Sequence, residues 1–150
     1  MRISLILFAL LAGCAKPNYV SGSATAVMGD PNQKPVICLG RFATAQQICV
    51  TMAWEKYPTE RTVGTFLFKI YRPNLADGTP VVTDLPGEID VILWMPAMGH
   101  GSSPVKLKQL DIGTYRADQV FFTMRGEWEI RVQLKVKDEL KDQAIIPLTF

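Results

Sequence analysis

The sequence predicts an all-β protein, an antiparallel β-sandwich of about seven strands, and three observations carry that prediction. Beyond residue 47, apolar residues recur at every second position, the period of a half-buried strand. Clusters of Gly, Pro, Asn and Asp break these runs at short intervals, as turns require. No segment beyond the N-terminal leader carries the three-and-four spacing of an amphipathic helix.

The leader, Met1 to Cys14, reads as an address and not as part of the fold. Arg2 supplies a positive start, and Ile3 to Ala12 is apolar except for Ser4. That run is shorter than the roughly 20 residues a membrane-spanning helix needs, but it suits the apolar region of a secretory signal. It ends in Leu11-Ala12-Gly13-Cys14, which resembles the lipobox of bacterial lipoproteins. The resemblance implies that residues 1–13 are a signal peptide and that Cys14 is lipidated. The acyl chains would hold the protein to a membrane, since two chains suffice for stable anchoring. In the bacterial sorting rule, Ala15 after the cysteine favours the outer membrane. The expected location is therefore the cell envelope, facing the periplasm.

Without that leader the chain has 137 residues and a net charge of +1, enough for one domain on a tether. So small a charge argues against nucleic acid as a partner. Residues 14–35 are rich in Ser, Gly, Ala, Asn and Pro and read as a flexible tether, which leaves 36–150 as the domain. Export places Cys38 and Cys49 in an oxidising compartment, where they are expected to form a structural disulfide. The rival, a redox or metal-binding pair, lacks the Cys-x-x-Cys spacing.

The strands follow in order. Val36 to Leu39 is a short strand stopping at Gly40. Ile48, Val50, Met52 and Trp54 alternate with Cys49, Thr51, Ala53 and Glu55 to give the next, closed by a turn through Pro58. Thr62 to Tyr71 is β-branched and aromatic, with Phe66, Phe68 and Ile70 on one face, and Asp77-Gly78 marks the loop after it. Ile89, Val91, Leu93 and Met95 alternate up to Pro96, which has no amide to give to a ladder. Val105 to Leu110 and Thr114 to Met124 are two further strands. Trp128, Ile130, Val132, Leu134 and Val136 then face the core while Glu127, Glu129, Arg131, Gln133, Lys135 and Lys137 face water. Asp138 to Asp142 reads as a polar turn, and Ala144 to Phe150 as a last strand that Pro147 assigns to an edge. This series indicates an immunoglobulin-like sandwich.

The stretch "WMPAMGHG", Trp94 to Gly101, holds the only histidine in the chain beside two methionines. Thioether sulfur and imidazole nitrogen suit Cu(I), a soft ion content with two or three ligands. Met95, Met98 and His100 supply such a set, and Met124 adds a fourth if its turn lies at the same end of the sandwich. The competing reading is packing: Met95 continues the inward row, Met98 plugs the loop onto the core, and His100 is exposed. Zinc fits poorly, with one histidine and no free thiol nearby.

Together, "MPAMGHG" and the later "FFTMRGEWEI" resemble the YtkA-like and FixH-like domains, small extracytoplasmic immunoglobulin-like modules with M-P-x-M-x-H and then F-x-M-x-G-x-W-x-I. The matching positions are Met95, Pro96, Met98 and His100, then Phe122, Met124, Gly126, Trp128 and Ile130. The resemblance spans roughly residues 60–150 and implies an accessory role near copper handling. The chain departs from the pattern at Arg125, where members often carry proline, and has a lipid-anchor signal in place of the membrane helix of FixH-type proteins. A protein partner in the envelope is the other expectation.

Trp128 stands in the inward row and is expected in the core, whereas Trp94 is out of phase with Leu93 and Met95 and free to cover an ion or a partner. His100 lies near Ser102 and Ser103, but loop neighbours do not make a catalytic triad, and no nucleophile elbow is present. The expectation is a binding module and not an enzyme.

Overall fold

The computed structural model describes Val27–Met28 and residues 36–150. The expected leader and Cys14 lie outside the described residues, as does most of the expected tether. Twelve strands form: β1 (Val27–Met28), β2 (Val36–Ile37), β3 (Gly40–Arg41), β4 (Cys49–Lys56), β5 (Gly64–Pro73), β6 (Pro80–Val82), β7 (Glu88–Met95), β8 (His100–Gly101), β9 (Lys106–Asp111), β10 (Thr114–Val120), β11 (Glu127–Val136) and β12 (Glu139–Thr149). Seven are long, and no helix occurs among the described residues.

One sheet runs β3-β4-β5-β10-β9, with β6 also on β5; the other runs β12-β11-β7-β8, and every pairing is antiparallel. If the seven long strands are lettered A to G along the chain, the sheets read A-B-E-D and G-F-C. That is the constant-type immunoglobulin order. The expected sandwich and its strand count are both present.

Alternation explains the layers. Phe66, Phe68 and Ile70 on β5 are buried, and so are Ile89, Val91, Leu93 and Met95 on β7 and Trp128, Ile130 and Val132 on β11. These rows meet between the sheets with Tyr115, Ala117, Ala144 and Ile146 to make one core. Each large apolar side chain buried there contributes about 1.5–3 kcal/mol. Cys38 and Cys49 are bonded, with Cα atoms 5.5 Å apart. The bridge lies at the foot of β4. It does not join the central strands β5 and β11, where aromatic and aliphatic packing fills the space.

The structure corrects the sequence reading in four places. Val27–Met28, inside the expected tether, pairs with β2. The strand expected over Thr114 to Met124 ends at Val120, and the chain bends through 121–126. The turn expected over residues 138–142 is shorter and begins one residue earlier: residues 139–142 belong to β12, and Val136 pairs with Glu139, so the loop is only Lys137-Asp138. Both have positive φ, 51° and 63°, as a two-residue hairpin turn of this hand demands. Val136, expected inward, is exposed, while Gln133 is buried. The edge position for Pro147 holds, since β12 ends its sheet.

Asp142 is buried on β12 and holds the segment between β3 and β4. Its carboxylate accepts the amides of Ala43 (2.9 Å), Thr44 (3.1 Å) and Ala45 (3.3 Å), and the Thr44 hydroxyl. Phe42, 1% exposed, bridges to Ala144 on the same edge. The segment between β3 and β4, both in one sheet, thus touches the other sheet at its β12 edge.

Candidate functional site

Pro96 stops β7, and the chain reverses at once. The Met95 carbonyl accepts the amides of Met98 (3.2 Å) and Gly99 (3.0 Å). Gly99 has φ of 66°, a conformation that glycine adopts without the steric penalty of a side chain. The returning strand β8 sets His100 opposite Met95 and Gly101 opposite Trp94. The sequence motif is therefore a tight hairpin whose two arms face each other.

A second turn packs against it. Gly126 and Phe150 exchange backbone hydrogen bonds of 2.8 and 2.9 Å, which fix the end of β12 to the 121–126 bend. A Cβ on Gly126 would stand 2.6 Å from Met95 Cε, so the Met95 side chain lies directly under this turn. Trp128 donates its indole N–H to the Met124 carbonyl at 3.0 Å. Ser102, just past β8, donates its hydroxyl to the Phe121 carbonyl. The His100 ring stands edge-on to Trp128 at 6.4 Å. The hairpin and the bend therefore share one end of the sandwich.

The four predicted soft donors differ in access. Met95 is 6% exposed, Met98 58% and Met124 41%, with His100 half-buried. His100 Nδ1 lies 3.1 Å from the Gly101 carbonyl. That contact leaves Nε2 as the nitrogen free to bind, and Met98 and Met124 present their thioethers to solvent. The donor set fits a soft monovalent ion of low coordination number. No group of three or more His, Cys, Asp or Glu occurs among the described residues, so a hard or borderline ion lacks its usual ligands. The packing reading holds for Met95 and fails for Met98, which does not plug the core.

Trp128 is core, at 1% exposure, packed on Phe122 at 5.2 Å. Trp94 is half-buried on the outer face of its sheet, with the Arg131 guanidinium 5.0 Å above its ring and paired to Glu129 at 2.6 Å. Sequence periodicity gives Arg131 only as a water-facing residue. Its stacking depends on β7 and β11 being neighbours, with Glu129 opposite Trp94. Ser102 serves structure, its hydroxyl being engaged by Phe121.

The fold and site define a small immunoglobulin-like sandwich with a Met/His hairpin at one end. A family model described as YtkA-like matches residues 43–133, more than half of the chain, and the chain belongs to that family. The match begins earlier than the sequence resemblance and takes in Cys49, while Cys38 and β12 lie outside it. No curated protein and no solved structure matches the chain.

Proposed function

We propose that the chain is a lipid-anchored accessory module of the bacterial envelope that binds Cu(I) through Met95, Met98, His100 and Met124, without enzymatic activity. The observation that carries this reading is the meeting of the β7-β8 hairpin and the 121–126 bend, with Met95 opposite His100 and beneath Gly126. Met98 and Met124 are the accessible donors, His100 supplies a nitrogen, and Met95 supplies the buried side of the site. Bound there, Cu(I) would be held by thioethers and one imidazole, a set that favours the reduced ion. The envelope location and the anchor rest on the leader sequence.

A second reading has its own observation. The deep burial of Met95 and the contact of His100 with Gly101 are those of a packed hairpin, which makes the protein an interaction lipoprotein without a metal. A competition titration of Cu(I) against a chromophoric chelator, on the reduced full chain in detergent, separates the two. Stoichiometric binding lost in both Met98→Ala and His100→Ala supports the copper site; no binding leaves the interaction module.

A further inference from the structure

A cleft of about 590 Å³ opens at the same end, between the β4-β5 loop, Arg125 and the last residues of β12. Its floor is aromatic. Tyr57 stacks on Phe150 with centroids 6.5 Å apart and meets Trp54 edge-on at 5.0 Å, and Phe150 rests on Phe122 at 4.9 Å. Tyr57 nonetheless leaves half of its surface to solvent.

The wall of the cleft is already in place. Pro58 is fully buried, and a Cβ on Gly64 would come within 2.7 Å of its ring. Thr59 and Thr62 exchange backbone hydrogen bonds of 3.0 and 3.3 Å and join through their hydroxyls at 2.8 Å. A loop pinned this way loses little freedom when a ligand binds.

The rim is charged. Arg125 reaches across to Glu60 at 2.8 Å, with both side chains well exposed, while Arg61 has no ion-pair partner among the described residues. Of the charged side chains that line the cleft, two are guanidinium groups and one is a carboxylate, so among the described residues Arg61 is left unpaired over an apolar floor, with Glu127 held on Thr149 beside it. An exposed ion pair of this kind is weak, so an incoming carboxylate can replace Glu60 at small cost. Arginine is suited to receive it, because its planar fork binds carboxylates bidentately.

From this arrangement we infer that the cleft recognises a partner polypeptide segment in which an acidic residue lies between aromatic or aliphatic ones. The carboxylate pairs with Arg125 and Arg61, and the flanking apolar side chains lie on Tyr57 and Phe150. The cleft is shallow and widely open to solvent, which suits a passing chain better than a small molecule that has to be enclosed. The Arg125–Glu60 pair acts as an internal competitor for the incoming carboxylate. This inference does not depend on copper binding.

The test is an amide chemical-shift titration of the isotopically labelled full chain in detergent with a capped phenylalanine–aspartate–phenylalanine tripeptide and its asparagine counterpart. The aspartate peptide is expected to give saturable shifts confined to Arg61, Arg125, Thr149 and Phe150, with a Kd on the order of 1 mM. The asparagine peptide should bind at least about fivefold more weakly, and Arg125→Gln should produce a similar loss. Glu60→Gln should tighten binding severalfold, because it removes the competitor. These side chains are exposed, so unchanged spectra elsewhere will show that the variants are folded. Equal binding of the two peptides, no tightening in Glu60→Gln, or no saturable shift by about 10 mM overturns the inference.

Discussion

Asp142 accepts both the amide and the hydroxyl of Thr44, across 98 positions of sequence. Burial pushes the carboxyl pKa up, but the hydrogen bonds from Thr44, Gln143 and Ala45 outweigh it and hold the group below its ordinary value. A depressed folded-state pKa contributes stability above the unfolded value, about 3.9, and that contribution is lost as pH falls through the lower folded value. Asp142→Ala should cost about 2–3 kcal/mol in urea unfolding at pH 7, since it strands several buried donors. The gap between variant and parent should narrow as the pH is taken below about 4. A constant gap down to pH 2 would show that the carboxylate charge is not what holds the segment.

The methionines of the functional end divide by burial. Met95→Ala should destabilise the domain by about 2–4 kcal/mol, the usual penalty for emptying a core site. Met98→Ala and Met124→Ala should change stability by less than about 0.5 kcal/mol, because both side chains face solvent. Gly126→Ala should cost about 1–3 kcal/mol, given φ of 142° and the proximity of Met95 Cε. Part of that loss should return in the Gly126→Ala, Met95→Ala double variant, read by a double-mutant cycle.

On the side away from β11, β7 has no strand partner from Glu88 to Leu93 among the described residues, although Ser102 donates its amide to the Leu93 carbonyl at 3.0 Å. Asp90 covers part of that flank by accepting the amide of Val91 at 2.8 Å, while Lys135 holds its other oxygen at 2.5 Å. Free strand edges invite pairing between molecules, and proteins block them with charges. Asp90→Ala should therefore raise self-association, measured by light scattering across a concentration series. Thermal stability should move little, since a half-exposed pair is worth about 0–1 kcal/mol. A variant that stays monodisperse would remove Asp90 from this guarding role.

Reduction of the Cys38–Cys49 bridge should destabilise the domain by about 2–3 kcal/mol in the chain-entropy model. Urea midpoints with and without reductant measure it directly. The Cys38→Ser, Cys49→Ser double variant should match the reduced protein and be insensitive to reductant.

Period-two alternation made β5, β7 and β11 legible, because each is buried on one face only and its pattern is local. The turn near Asp138 was legible but its bounds were not, for a physical reason: Lys137 and Asp138 adopt positive φ without glycine, so no glycine marks the two-residue hairpin inside the polar run. Asp142 then looked like loop sequence, when its partners lie in a segment nearly a hundred residues away. The Met/His hairpin was visible as a motif, and the strand end at Pro96 placed it correctly. What the sequence left open was access, since Met95 and Met98 share a residue type and a loop yet differ from 6% to 58% in exposure. The aromatic cleft had no local signature at all, its walls coming from three separate segments.

The position of Cys38 has a consequence for how the molecule would stand on a membrane. Bonded to Cys49, it fixes the point where the chain enters the domain at the start of β4. From there β4 runs eight residues, roughly 25 Å at the usual rise, toward Tyr57 and the end that carries the hairpin. A protein held through its N-terminal side is gripped by the hilt, and the methionines and the aromatic cleft are at the tip. If the proposed anchor is there, contact with a partner is made outward, away from the bilayer.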